Sequence, residues 1–239
     1  MQNKSNPVVW ITGASKGIGK EIANSFASIG CRAILSSRNL KNLKIAEKNI
    51  LKRKQFAKAI VCDVSNEVSV KNCYKKIKKQ FGKVDILINN AGVTEFLPFD
   101  KTNSKQFDTI INTNLKSIFL CTKEVLGEMK KRKSGIIINI LSVAATKTFL
   151  NSSIYSASKA GALSLSKSIR EENRKYGIRV IDILPGAVNT DMWTKSEKKI
   201  FKNRMLNAKD IADLTLLIYC QPNSVMIEEL VVRPQLGDI

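Results

Sequence analysis

The chain has 239 residues, 44% of them hydrophobic, which is enough to bury a sizeable core. It contains no histidine, which excludes histidine-based catalytic triads and most zinc sites, so no metal is expected. Its five cysteines show no paired spacing, and no apolar run approaches the roughly 18 residues of a membrane span. Residues 1–7 are polar and lack the apolar centre of a signal peptide, so we expect a cytoplasmic protein without membrane association.

The net charge of +20 comes from 40 lysines and arginines against 20 acidic residues. Many of the lysines are scattered along amphipathic segments, as over residues 71–79. No motif that reads RNA or DNA accompanies the charge, which favours a solvated lysine-rich surface over nucleic-acid binding. Attraction to an acidic partner or to a polyphosphate ligand is a third interpretation.

Short β-branched runs alternate along the chain with longer segments of helical periodicity, such as residues 70–81 and about 104–131. Strands are predicted at residues 8–12, 33–37, 59–62, 84–89, 135–141, 178–184 and 229–232. Nearly continuous apolar strands separated by helices indicate an α/β, doubly wound Rossmann-type fold, a parallel sheet of about seven strands with helices on both faces. No linker or repeat interrupts the sequence, so residues 1–239 are expected to form a single domain.

The first strand is followed by a glycine-rich turn, "TGASKGIG" at residues 12–19, that opens a helix. Its three glycines carry no Cβ, so a ligand can approach the backbone closely. The free N–H groups at the start of the helix then face an anion, which predicts a dinucleotide site. The predicted cofactor contacts here are Gly13, Ser15, Lys16, Gly17, Ile18 and Gly19.

The second strand ends in "LSSRN", where NAD-binding folds usually place a carboxylate for the ribose hydroxyls. Ser37 and Arg38 stand there instead. A guanidinium can bind a 2′-phosphate through two hydrogen bonds, and Lys16 adds a second positive charge. The sequence therefore favours NADPH or NADP+ over NADH as the cofactor.

In "YSASK", Tyr155 and Lys159 stand one helical turn apart and share one face of the predicted helix. A nearby ammonium stabilises a phenolate and is expected to lower the tyrosine pKa from its usual value near 10. Tyr155 is therefore the predicted general acid, although a structural tyrosine–lysine pair would have the same spacing. Asn114 interrupts the apolar face of the helix at 104–131, and a buried amide must find hydrogen-bond partners.

Together with these motifs, "NNAG" at 89–92, Ser142 and "PGAVNTDM" at 185–192 resemble the short-chain dehydrogenase/reductase family over nearly the whole chain. The resemblance implies hydride transfer between a nicotinamide and a carbonyl or alcohol, and association as a homodimer or homotetramer. It implies a catalytic tetrad of Asn114, Ser142, Tyr155 and Lys159, in which Asn114 fixes a water of a proton relay. The further cofactor contacts that it implies are Asp63, Val64, Asn90, Ala91, Gly92, Tyr155, Lys159, Pro185, Gly186, Val188 and Thr190.

The substrate is less well defined, because the predicted lid at about residues 192–206 is short and rich in lysine. The leading hypothesis is a 3-oxoacyl thioester, carried on an acidic acyl carrier protein that docks on residues 130–133, Arg174 and Lys175. Those residues are also explained as solvated, positively charged helix ends. The alternatives are a general ketone, aldehyde or sugar reductase and, from another class, a dinucleotide-sensing or nucleic-acid-associated protein.

Overall fold

The computed structural model describes residues 6–239, apart from the side chain at position 202. Its strands are β1 (Val8–Thr12), β2 (Arg32–Ser37), β3 (Ala57–Val61), β4 (Ile86–Asn89), β5 (Gly135–Ile140), β6 (Ile178–Pro185), β7 (Val188–Asn189), β8 (Leu206–Asn207) and β9 (Glu229–Val232). β7 and β8 pair only with each other, and the other seven strands form the central sheet. All seven predicted strands are confirmed, and their ends differ from the prediction by at most two residues.

The central sheet has the strand order β3-β2-β1-β4-β5-β6-β9, and every neighbouring pair is parallel. The chain runs outward from β1 to β3 and then returns to β4 on the other side of β1. This reversal opens a crevice at the carboxyl ends of β1 and β4, where doubly wound folds bind their ligands. The predicted doubly wound parallel sheet is therefore confirmed.

The helices are α1 (Gly17–Ser28), α2 (Leu40–Leu51), α3 (Glu67–Phe81), α4 (Ser104–Ile111), α5 (Ser117–Lys131), α6 (Ser153–Asn173), α7 (Lys195–Phe201) and α8 (Ala208–Tyr219). A single π-helical turn, Asn112–Lys116, joins α4 to α5 where the sequence predicts an uninterrupted helix. Such turns widen a helix locally and are frequent at functional sites. Within residues 6–239, no helix has the length and apolar character needed to cross a bilayer.

The two faces of the sheet bury separate apolar layers because side chains alternate along each strand. In β1, Val9 and Ile11 point to the layer that also contains Phe26 of α1. Trp10 points to the opposite layer and stacks near Tyr74 of α3. Burying one large apolar side chain stabilises the folded protein by about 1.5–3 kcal/mol. The alternation therefore determines which helices pack against each face of the sheet.

A row of buried polar side chains crosses the middle of the sheet. The Asn89 amide donates to Asn139 Oδ1 at 2.9 Å, and Asn139 Nδ2 donates to Asp182 Oδ1 at 2.9 Å and to Ser166 Oγ at 2.9 Å. Arg170, on α6, completes the row by donating to Asp182 Oδ2 at 2.6 Å. Buried polar groups are stable when each of them has a hydrogen-bond partner. These bonds connect β4, β5, β6 and α6, and they fix the register of the three strands.

Candidate active site

At the crevice, the side chain of Asn90 connects the carboxyl ends of β1 and β4. Its amide donates to the carbonyl oxygens of Thr12 at 2.9 Å and of Gly13 at 3.2 Å. The Thr12 hydroxyl accepts from the backbone N–H groups of Asn90 and Ala91 in return. Asn90 and Ala91, which the sequence predicts as cofactor contacts, thus also lock the glycine-rich turn onto β4.

The glycines of the turn serve internal packing as well as ligand approach. A Cβ on Gly19 would collide with Asn90 Nδ2 and would lie 2.6 Å from the Gly13 carbonyl oxygen. A Cβ on Gly13 would lie 2.9 Å from Ala91 Cα, and Gly13 has a positive φ of 65°. Gly13 and Gly19 therefore also make room for the protein's own atoms, since glycine-rich turns serve tight packing as well as ligand binding.

The two cationic side chains predicted to bind a 2′-phosphate, Arg38 and Lys16, have different surroundings. Arg38 is exposed at the end of β2 and, within residues 6–239, its guanidinium forms no ion pair. Lys16, by contrast, forms an ion pair at 3.4 Å with Asp191, which also contacts Lys198 of α7 at 3.3 Å. The Ser37 hydroxyl accepts a hydrogen bond from the backbone N–H of Asn39. Arg38 is thus available to an anion, whereas Lys16 links the glycine-rich turn through Asp191 to α7.

The remaining predicted cofactor contacts lie along the same edge of the sheet. Asp63 follows β3 with Oδ1 bonded to Ser65, beside the buried Val64. On the other side, the Gly186 N–H donates to the Val232 carbonyl at 2.7 Å. β6 ends at Pro185, and the segment after it contains Gly186, Val188 and Thr190. A Cβ on Gly17 would lie 3.4 Å from the Thr190 methyl group. These residues, with Ser15 and Ile18 of the turn, therefore border the crevice at the carboxyl ends of the strands, which is called the cleft below.

The first turns of α6 place Tyr155 and Lys159 at the inner end of this cleft. Lys159 is buried, its Nζ lies 5.8 Å from the centre of the Tyr155 ring, and it donates to the Ile140 carbonyl at 3.1 Å. Tyr155 is half-buried, and Ser142 lies close enough to lower its pKa. Ser142 Oγ itself accepts from the Ala144 N–H at 3.1 Å. Three of the four predicted catalytic residues therefore meet at one point.

Asn114, in the π-helical turn, lies beside the same point but is fully occupied by the protein. Its Oδ1 accepts from the Val93 N–H at 2.9 Å, and its Nδ2 donates to the Val93 carbonyl at 2.9 Å and to Ser158 Oγ at 3.0 Å. A Cβ on Gly92 would lie 3.4 Å from Asn114 Oδ1 and 3.7 Å from Lys159 Nζ. The Asn114 side chain therefore holds the backbone at Val93, just past the end of β4 and beside Lys159, and all the partners of this buried amide are local.

Burial controls the acid–base properties of the two groups on α6. Burial lowers the pKa of Lys159 from 10.5 to about 8, because an ammonium loses its hydration there. Burial raises the pKa of Tyr155 above 10, and the hydrogen bond from Ser142 opposes this effect in part. The predicted lowering of the tyrosine pKa is therefore not the net effect in this structure, because burial outweighs the neighbouring groups. The phenol therefore keeps its proton at neutral pH.

Two aromatic side chains beside Tyr155 are absent from the sequence-based prediction. The Phe96 ring lies edge-on to Tyr155, with centroids 6.4 Å apart, and stacks on Trp193 of the lid at 5.9 Å. Their positions in loops carry no periodic signal, although Trp193 is one of only two tryptophans and stands in a lysine-rich segment. The three rings form an aromatic wall on the open side of the cleft.

Comparisons with known proteins agree with this arrangement. A family model described as short chain dehydrogenase matches residues 7–200. The sepiapterin reductase of Chlorobaculum tepidum is 36% identical over 239 aligned residues, which cover 97% of this chain and 98% of that protein. The farnesol dehydrogenase of Aedes aegypti is 32% identical, and 98% of each protein is covered.

Solved structures give the same result. A metagenomic short-chain oxidoreductase in complex with NADP has a TM-score of 0.86 and 32% identity, over 98% of this chain and 99% of that one. A variant of the actinorhodin polyketide ketoreductase with NADPH has a TM-score of 0.91 and 26% identity, over 100% of both chains. This chain therefore belongs to the short-chain dehydrogenase/reductase family and is an oxidoreductase that acts on carbonyl or alcohol groups.

Proposed function

We propose that this protein reduces a carbonyl group to an alcohol with NADPH, and that Tyr155 is the general acid. The observation that carries the proposal is the meeting of Ser142, Tyr155 and Lys159 at the inner end of the cleft. NADPH, when bound, supplies the hydride. The Tyr155 phenol is protonated at neutral pH, so it has a proton to transfer to the oxygen that gains negative charge.

Each neighbour of Tyr155 has a distinct task in this proposal. The Ser142 hydroxyl hydrogen-bonds the substrate oxygen and orients it towards the phenol. The Lys159 ammonium stabilises the phenolate that remains after proton transfer, since opposite charges attract strongly in a buried site. Asn114 positions Lys159 indirectly by fixing the backbone at Val93, and the proton relay through a water at Asn114 stays a proposal.

Tyr155→Phe tests the acid directly, because it removes only the hydroxyl group. We expect kcat to fall about a hundredfold or more while the NADPH dissociation constant changes little. Tyr176→Phe is the matched control, since Tyr176 lies at the far end of α6. Turnover of Tyr155→Phe at the wild-type rate would show that another group donates the proton.

The cofactor assignment rests on two features: Arg38 is exposed and forms no ion pair among residues 6–239, and no carboxylate stands at the end of β2. The similar structures solved with NADP and NADPH support the same cofactor. Arg38→Asp is expected to weaken NADPH binding at least tenfold and to spare NADH. Lys48→Asp makes the same charge change on an exposed face of α2 and serves as the control. Equal losses for both cofactors in Arg38→Asp would remove Arg38 from phosphate recognition.

For the substrate, a 3-oxoacyl thioester is one candidate, supported by the likeness to a polyketide ketoreductase. Docking of an acyl carrier protein on the predicted basic residues meets a geometric difficulty. Arg174 lies 19 residues after Tyr155 along α6 and its terminal turn, which corresponds to about 28 Å. Its guanidinium is also paired with Glu171 and Glu228. A carrier at that end would deliver its substrate to a partner protomer, so this route requires the predicted homodimer or homotetramer.

A ketone attached to a planar ring is the second candidate. The aromatic wall of Phe96, Trp193 and Tyr155 offers a flat apolar surface beside the proton donor, which suits stacking on a ring. The 36% identity to a sepiapterin reductase supports the same substrate class. Residues 192–206 form the lid in both versions of the proposal, and residues 1–239 act as a single domain.

A rate panel separates the two substrate classes. NADPH oxidation is measured with an acetoacetyl thioester and with a bicyclic heteroaromatic ketone, each beside an NADH control. Trp193→Ala is expected to raise KM for the ring ketone about tenfold and to leave the thioester unaffected. Nucleotide binding without turnover of any carbonyl would instead favour the dinucleotide-sensing class.

A further inference from the structure

The segment that follows β9, residues 233–239, folds back towards the catalytic edge of the sheet. Gly237 has a positive φ of 81°, and its N–H donates to the Pro234 carbonyl at 2.9 Å, so the chain turns tightly here. Pro234 is buried against the loop after β6, where a Cβ on Gly186 would lie 2.9 Å from Pro234 Cδ. The turn thereby aims the next side chain, Asp238, back into the protein.

The carboxylate of Asp238 is only 9% exposed and has cationic partners from two segments. Lys147 Nζ donates to Oδ2 at 2.7 Å. Arg233 donates to Oδ1 through Nε at 3.0 Å and to Oδ2 through Nη2. Both oxygens therefore accept charge-assisted hydrogen bonds, from side chains that are themselves half-exposed.

A third segment joins the same point through the backbone. Arg204, at the end of the lid, donates through Nη2 to the Asp238 carbonyl at 2.8 Å and to the Leu236 carbonyl at 3.3 Å. Lys147 stands five residues after Ser142, and the Gly186 loop leads into the predicted nicotinamide contacts. The loop after Ser142 is thus bonded to the Asp238 carboxylate and the predicted lid to the Asp238 backbone, while the Gly186 loop packs on Pro234 of the same tail.

We propose that Asp238 is a positioning residue that holds the loop after Ser142 and the lid in register over the reacting carbonyl. It touches neither the predicted catalytic residues nor the predicted cofactor residues by a hydrogen bond, and it acts through Lys147 and the tail. The kinetic part of this inference rests on the proposed carbonyl reduction, whereas the structural part does not.

Asp238→Asn removes the charge but keeps the shape, and Asp238→Glu keeps the charge. In Asp238→Asn, we expect amide hydrogen exchange to accelerate in residues 143–150 and 192–206 and to stay unchanged in the central strands. We also expect kcat/KM for the carbonyl to fall about ten- to a hundredfold with an unchanged NADPH dissociation constant. Asp238→Glu should restore part of the loss. Asp213→Asn, which breaks an exposed ion pair with Lys209, is the control of equal charge change.

A double-mutant cycle with Lys147→Met separates this role from a general loss of stability. If Asp238 acts through Lys147, the double variant should be no slower than Asp238→Asn alone. Unchanged exchange in both loops, or acceleration spread evenly over the strands, would overturn the proposal. If no carbonyl is turned over by the wild-type protein, the proposed function fails, and the exchange measurements still decide whether Asp238 ties the loops.

Discussion

Replacing Lys159 by methionine tests how strongly burial disfavours the ammonium at the centre of the site. Burial lowers the pKa of Lys159 from 10.5 to about 8. At about 1.4 kcal/mol for each pH unit, this difference corresponds to about 3 kcal/mol of lost stability wherever the folded protein keeps the charge. Methionine fills a similar volume without a charge, so it removes this cost.

The gain is offset by one lost interaction. Lys159 Nζ donates to the Ile140 carbonyl at 3.1 Å, and a hydrogen bond from a charged donor contributes about 1.5–3 kcal/mol. At pH 7 and without nucleotide, we therefore expect Lys159→Met to be about 1 kcal/mol more stable than the wild type and to lack turnover. The stabilisation is small, but its dependence on pH is large.

The dependence on pH has a definite sign. Between about pH 8 and pH 10.5 the unfolded chain keeps the proton on Lys159 while the folded chain releases it. Because the unfolded state binds more protons there, the stability of the wild type rises with pH. The wild type should therefore gain about 3 kcal/mol over this interval relative to Lys159→Met, and the order of stability should reverse.

Urea unfolding at pH 7 and at pH 10 measures this difference. The other lysines, tyrosines and cysteines titrate in both proteins, so only the difference between the two curves is interpreted. Lys131→Met, at an exposed position on α5, is the control and should follow the wild type. If the difference in unfolding free energy between the wild type and Lys159→Met is the same at both pH values, the claim that burial disfavours the ammonium is refuted.

Three further predictions concern the scaffold of the site. Arg170→Met leaves the buried carboxylate of Asp182 without its cation, so the free energy of unfolding in urea should fall by about 3–5 kcal/mol; a loss below about 1 kcal/mol would contradict the network. Gly19→Ala forces the Asn90 amide away from the glycine-rich turn, and calorimetry should show a lower melting temperature together with weaker NADPH binding. Asp191→Asn releases Lys16 of the glycine-rich turn from its ion pair, so NADPH affinity should rise up to about fivefold at low salt. An unchanged affinity at low salt would show that the Lys16–Asp191 pair does not affect nucleotide binding.

The strands could be predicted because a parallel sheet buried on both faces needs nearly continuous apolar runs. The π-helical turn at Asn112–Lys116 could not, since its residues have ordinary helical character and the widening accompanies the ties of Asn114 to Val93. The polar row through Asn139 and Asp182 was missed for a similar reason. Single polar residues inside apolar strands look like defects until the register aligns them across the sheet.

The motifs located the site residues, but their electrostatics depend on burial. From the sequence, a lysine one turn from Tyr155 predicts a lowered tyrosine pKa. In the fold, Lys159 donates to the Ile140 carbonyl, and desolvation raises the tyrosine pKa instead. Spacing fixes which side chains share a face, whereas the pKa follows from how much water and which dipoles reach them, and these depend on the whole fold.

The contrast between Asn114 and Lys159 indicates where the binding energy for a cofactor would act. The Asn114 amide uses its oxygen and both its N–H groups within the protein. An ammonium has three N–H donors, and within residues 6–239 that of Lys159 has one acceptor, the Ile140 carbonyl. A ligand that brings hydroxyl oxygens to Lys159 would satisfy the remaining donors and favour the charged form. In the proposed function, cofactor binding would thus raise the pKa of Lys159 above about 8 and complete the charge that supports Tyr155.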